Sequence, residues 1–374
     1  METAQKRERY GLISSITGII LNTLLCAAKI AAGVISGSIS SVADGINNLS
    51  DAASSVVALI GFRISSSKPD REHPFGHGRA EYISGFAVAV SILMIGAELI
   101  RSSVERIIRP EDPSYSAASY IILSVSILVK LFMALFNRSI GKKISSPTLM
   151  AVSADSIGDS MATAVVIISA VIHSLYGISV DGYAGLIVSL FIIFSGIRAL
   201  KETAAPLLGA PPDKGFLEKV RSIVLKDSSV LGLHDVICHD YGPGRRMVSL
   251  HVEVPKDSVL VDIHDRIDRL EKEIKEELGC ETVIHIDPSF RDDSSSMEAR
   301  RIITDTLSEI DPSITMHDFR KVTGNGENSY VFDIIIPFGL ELEDDAVTDM
   351  IKKRLESFDR GCSVIITVDR PYTQ

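Results

Sequence analysis

Six apolar stretches crowd the first two hundred residues, near 11–35, 39–64, 81–107, 116–138, 148–173 and 179–200. A hydrocarbon core about 30 Å thick is crossed by about 20 helical residues. Buried in lipid, such segments satisfy their backbone polar groups internally and are therefore helices. The first run continues from Gly11 to about Ile35, too long for the apolar core of a cleaved leader, so it is read as a retained span. Lys6, Arg7 and Arg9, then Lys68, Arg71 and Arg79, then Arg138, Lys142 and Lys143, then Arg198 and Lys201 fall on one side of six spans, with Arg106 and Arg109 as exceptions. The positive-inside tendency makes that side cytoplasmic, and an even span count puts both chain ends there.

Two of these stretches carry carboxylates that the bilayer penalises. Asp44, Asn47 and Asp51 share one helical face in the second, and Asp155 and Asp159 stand one turn apart in the fifth. A charge at bilayer depth costs at least a few kcal/mol unless it faces a cavity or a partner. The two faces are expected to meet, with Asn47, Asp51, Asp155 and Asp159 holding a divalent cation. An all-oxygen set suits Mn²⁺, Mg²⁺ or Ca²⁺ and admits Fe²⁺, whereas zinc prefers nitrogen or sulfur. Asp44 supports this site or packs the helix, and Asn48 sits off the shared face. Glu98 and Lys130 snorkel, pair or line a pathway, and Lys29 snorkels.

Past Pro206, Pro211 and Pro212 the pattern becomes soluble α+β. A helix at about 213–226 leads to strands at Gly232–His239 and Met247–Val254, a helix at Val261–Leu278 and a strand at Thr282–Asp287. The order is αββαβ, a ferredoxin-like arrangement. The tail repeats it: Leu233-His234-Asp235 is echoed by Met316-His317-Asp318, Gly324-Asn325-Gly326 forms a turn, a strand follows through Val331–Pro337, and a helix at 343–357 with a strand at Cys362–Asp369 completes the copy. Arg291–Ser296, acidic and serine-rich, reads as the linker. Three domains result: 1–206 in the membrane, 207–290 soluble, and a second repeat over 291–374.

Histidines and carboxylates gather in two further places. Asp70, His73 and His77 lie in the loop after the second span, where Pro74 and Gly76 preclude a regular helix. In the soluble half, His234, His251, His264, His285 and Asp287 mark a second metal-binding candidate; His285 and Asp287, two apart, project from one strand face. The tail keeps His317 and Asp369 but lacks most of the other ligands. Four scattered cysteines without a CxxC pair indicate neither a disulfide framework nor a thiolate site. A formal charge of −10 speaks against nucleic acid and suits cationic cargo.

With those residues together, the chain resembles the cation diffusion facilitator family of metal/proton antiporters, over roughly residues 10–288. The resemblance rests on Gly37-Ser38-Ile39-Ser40, Asn47-x₃-Asp51, Asp155-x₃-Asp159, the loop His73-Pro74-Phe75-Gly76-His77-Gly78-Arg79-Ala80-Glu81 and the soluble-domain histidines. It implies a transport site at Asn47, Asp51, Asp155 and Asp159, a loop site at Asp70, His73 and His77, and a binuclear site at a dimer interface from His234, His251, His264, His285 and Asp287. Asn and Asp in the membrane motifs are similar to bacterial manganese exporters. The expected activity is efflux of Mn²⁺, with Fe²⁺ and Zn²⁺ also admitted, through the cell membrane by a homodimer driven by protons. No cofactor beyond metal as substrate and regulatory ligand is expected, and no catalysis, since no HExxH motif stands in a span. The rival reading is a membrane-bound metal sensor that moves nothing.

Overall fold

The computed structural model describes residues 2–36, 39–109, 117–176, 178, 180–289, 294–324, 327–340 and 342–371. Gly37, Ser38, residues 291–293 of the expected linker and Asn325-Gly326 lie outside them. The chain forms two compact units, Met1–Ala210 with Tyr241–Arg245, and Pro211–Asp240 with Arg246–Gln374.

The first unit is built from α1 (Glu2–Ser36), α2 (Ile39–Ser65), α3 (Ala80–Ile108), α4 (Ala117–Lys143), α5 (Pro147–Tyr176) and α6 (Asp181–Ala204). Five of these, all but α2, are long and apolar enough to cross a membrane. Polar residues in the middle of α2 lower its hydropathy, though at 27 residues it has the length. The main packing pairs are α1 with α2, α3 with α6 and α4 with α5. Small residues set the approach, as lipid offers no hydrophobic drive between helices. A side chain at Gly45 would meet Ile30 Cγ1 at 2.7 Å, and one at Gly61 would collide with Ser84. Buried Glu81, at the start of α3, ties three elements: it accepts from Arg7 of α1 at 2.8 Å and from the Ser146 hydroxyl, just before α5, at 2.6 Å.

The second unit opens with α7 (Lys214–Val224), capped by the Asp213 carboxylate accepting the Phe216 N–H at 2.9 Å. Then follow β1 (Gly232–Asp240), β2 (Arg246–Pro255), α8 (Leu260–Leu278) and β3 (Glu281–Ser289). β2 is central, antiparallel to β1 and parallel to β3. The same order returns with α9 (Ser294–Ile310), β4 (Thr315–Gly324), β5 (Glu327–Ile335), α10 (Asp344–Phe358) and β6 (Ser363–Asp369), with β5 central, antiparallel to β4 and parallel to β6. Each sheet has its own apolar core, one around Val224, Leu250, Val252 and Ile274, the other around Ile303, Phe332, Ile334 and Ile351.

One expectation is corrected here. Ser294–Ser296, assigned to the linker, begin helix α9. Serine is unfavourable inside a helix but favoured at its start, where its side chain meets unpaired N–H groups. Ala299, Ile303 and Leu307 behind it recur at four-residue spacing and are buried, a helical stripe that the serine run obscured.

Candidate metal centre

Within the helical unit, Asp51 of α2 and Asp155 and Asp159 of α5 converge, with one carboxylate oxygen from each lying within 4.8 Å of the others. The spacing explains the geometry, because residues four apart on α5 stack on one face and aim at a single point on α2. Lys130 of α4 completes the group. Its Nζ donates to Asp51 Oδ2 and to Asp159 Oδ2, each at 2.6 Å. The lysine side chain is 4% exposed and that of Asp51 2%. Of the roles left open for Lys130, it takes pairing. A lone cation in an apolar helix needs a buried anion, and that was the signal for its place at the centre. Lys29 does not snorkel but is buried among the helices. Glu98 pairs on the surface with Arg101 at 2.6 Å.

Asn47, expected to share this site, lies on an exposed face of α2, while Asn48, one residue on, is buried. The shared face of α2 thus runs through Asn48, Asp51 and Ser55.

In the loop, Asp70, His73 and His77 do come together. Asp70 Oδ1 accepts the backbone N–H groups of His73 at 2.7 Å and Glu72 at 3.0 Å, closing a turn without helix. The other oxygen lies 3.3 Å from His77 Nε2, and the two rings are 4.6 Å apart. The His73 N–H, assisted by the nearby histidines, holds the Asp70 carboxyl below its usual range.

In the second unit one strand row delivers three imidazoles. His234 of β1 pairs with His251 of β2, which pairs with His285 of β3. Asp287, two residues along β3, gathers them. Its Oδ2 lies 2.9 Å from His251 Nδ1 and 3.4 Å from His234 Nε2, and its Oδ1 is 3.3 Å from His285 Nε2. His264 is the exception, exposed on the outer side of α8. The α8 stripe Ile263, Ile267, Leu270 and Ile274 faces the core, which points the residue after Ile263 away from the sheet.

Asp235 and His317 were not singled out as partners. Asp235 Oδ2 lies 3.2 Å from His234 Nδ1. Burial pulls the His234 imidazole down, but the Asp235 hydrogen bond and the charges of Asp235, Asp287 and Glu253 outweigh it, raising the pKa. The same hydrogen bond from His234, with His317 adding to it, lowers that of Asp235.

The carboxylate set lies within the helical bundle, and the histidine sets lie in the loop after α2 and in the second unit. Residues 15–208 match the model of the cation efflux transmembrane domain. The chain belongs to the cation efflux family, that of the cation diffusion facilitators. Residues 212–289 match the cytoplasmic domain of cation efflux proteins. An uncharacterized transporter of Methanocaldococcus jannaschii is 35% identical over 257 residues, covering 68% of this chain and 88% of that one. The manganese efflux system protein MneP of Bacillus subtilis is 25% identical over 299 residues, covering 77% and 100%. The cation-efflux pump FieF of Klebsiella pneumoniae is 27% identical over 288 residues, covering 75% and 95%. This family member is a multi-pass membrane transporter and not an enzyme. Neither domain match extends past residue 289, so the second sheet and its helices stand outside both.

Proposed function

We propose that this protein exports divalent metal cations from the cytoplasm across the cell membrane in exchange for protons, with Mn²⁺ preferred over Fe²⁺ and Zn²⁺. The carrying observation is the convergence of Asp51, Asp155 and Asp159 inside the helical unit. An all-oxygen set favours the harder cation, and two relatives are a manganese efflux system protein and a cation-efflux pump. In this reading α2 is a sixth span, both chain ends are cytoplasmic, and α2 and α5 rock against the other helices to alternate access. The soluble part is ferredoxin-like, twice repeated, and pairs two copies into a homodimer. Metal on its histidines and on the loop site biases the transport equilibrium, a coupling between distinct sites.

Lys130 gives the exchange its charge logic. Three carboxylates against one ammonium leave two negative charges when all are ionised. A divalent cation cancels them, and so do two protons. Either loading avoids uncompensated charge in a low-dielectric interior, where it would cost several kcal/mol. Arrival of the metal displaces the ammonium from Asp51 and Asp159, and its departure lets the ammonium return.

Vesicles reconstituted with the protein should take up Mn²⁺ in proportion to an imposed pH gradient. Asp155→Ala should abolish that flux while leaving the thermal melt in detergent unchanged. Binding without flux in the unaltered protein would instead support a membrane-bound sensor. Lys130→Gln should tighten Mn²⁺ binding by about tenfold, worth about 1.4 kcal/mol, and weaken the pH dependence of flux. An unchanged Mn²⁺ to Zn²⁺ ratio in Asn47→His would remove Asn47 from the selective set.

A further inference from the structure

The second repeat places a histidine beside one of the first. β3 and β4 are in contact within the second unit, and the repeated His-Asp pair brings its histidine to this junction. Both pairs stand at an irregularity in their strand: the ladder shifts between His234 and Ile237, and again between His317 and Arg320. Asp235 and Asp318 adopt left-handed backbone, φ 46° and 49°, which Asp tolerates better than most residues. The shift turns His234 and His317 toward each other, ring centroids 4.6 Å apart at 31°. His317 Nε2 lies 3.6 Å from Asp235 Oδ1, and donor atoms of His234, Asp235 and His317 all lie within 4.8 Å of one another.

His317 is the unusual member. Its side chain is 7% exposed, and among the described residues neither ring nitrogen has a hydrogen-bond partner. Buried polar atoms are nearly always hydrogen-bonded, so an imidazole kept only for packing would be expected to find one. Its neighbours at the junction are instead a second imidazole and a carboxylate, a composition that fits a borderline transition-metal ion.

We propose that His234, Asp235 and His317 form a metal site between the two repeats, taking Zn²⁺ or a cation of similar softness and fastening the second sheet to the first. It is distinct from the His251, His285 and Asp287 set, although both need His234. The two nitrogens of that ring face opposite ways, Nδ1 to Asp235 at 3.2 Å and Nε2 to Asp287 at 3.4 Å. A neutral imidazole offers one lone pair, so His234 serves one set at a time. The second repeat thereby competes with the first set for a shared ligand. This inference concerns binding and does not depend on the transport step.

The test removes the competing set and counts ions. The full-length protein in detergent, carrying His251→Ala and Asp287→Ala, is dialysed against Zn²⁺ and its bound metal quantified per chain. Adding His317→Gln should remove one further ion per chain. Adding Asp235→Asn instead should weaken that ion's binding at least tenfold, and Asn tolerates the same left-handed backbone. Circular dichroism melts keep unfolded variants out of the count. Equal Zn²⁺ content with and without His317 and Asp235 overturns the site and makes His317 a packing residue.

Discussion

The two three-stranded sheets share one strand order and one strand irregularity, yet they hold different chemistry. In the first, the row His234–His251–His285 crosses the sheet with Asp287 beside it. In the second, the same row reads His317–Asp333–Thr367, with Asp369 in the place of Asp287. The scaffold survives because it depends on buried apolar positions, Val248, Leu250 and Val252 in β2 and Tyr330, Phe332 and Ile334 in β5. These alternate with the ligand-bearing positions and are indifferent to them. One face of a strand can therefore change its chemistry while the other keeps the fold.

The largest expected effect tests whether the two cores are equivalent. Ile274 of α8 and Ile351 of α10 are both fully buried, each in its own core. Replacement by alanine should cost about 2–5 kcal/mol in either case. Calorimetry of the full chain in detergent should show each variant lowering a transition of its own. A single transition lowered equally by both would mean that the sheets unfold as one body.

Metal binding should separate the sheets where stability does not. Asp287 touches three imidazoles, so Asp287→Ala should weaken Zn²⁺ binding at the first set by about 100-fold, near the upper range for loss of a group that holds metal ligands in place. Asp369→Ala should change it by less than threefold. Titration of detergent-solubilised protein reads both, and comparable losses would show that the second row still holds metal of its own.

What the sequence made legible follows the same division. Periodicity located α2 to α8, α10 and every strand but β4 to within about five residues, because a buried face imposes a period of 3.6 or 2, but it started α1 at Gly11 rather than Glu2 and bounded neither β4 nor the body of α9. It assigned the first turn of α9 to a linker, where serines hid the apolar stripe. Carboxylates at helical spacing announced Asp51, Asp155 and Asp159, since a charged group in an apolar helix has few roles open to it. Asn47 and His264 were grouped by spacing or resemblance, and the structure turns both outward. The contact of His234 with His317 was beyond reach from sequence. Pattern shows that a unit repeats, but how two copies pack depends on side chains far apart in the chain.

The smallest effect concerns a turn that both repeats share. Asp227 accepts from Ser229 Oγ at 2.6 Å and its N–H at 2.9 Å, and Asp311 does the same for Ser313 at 2.5 Å and 2.8 Å. In both, the serine hydroxyl is the largest cause of a carboxyl pKa below its ordinary value. A carboxylate favoured in the folded state stabilises it above the unfolded pKa, and that contribution fades as pH falls through the folded one. Among the described residues only Asp227 has a cationic partner in reach, Arg266 of α8 at 3.2 Å. Asp227→Asn should therefore destabilise the soluble part more than Asp311→Asn, though by less than about 1 kcal/mol for a partly solvated pair. Urea melts at pH 7 should resolve the difference, and melts near pH 3 should shrink it. A gap that stays constant with pH would trace to the shape of the turn rather than to the carboxylate charge.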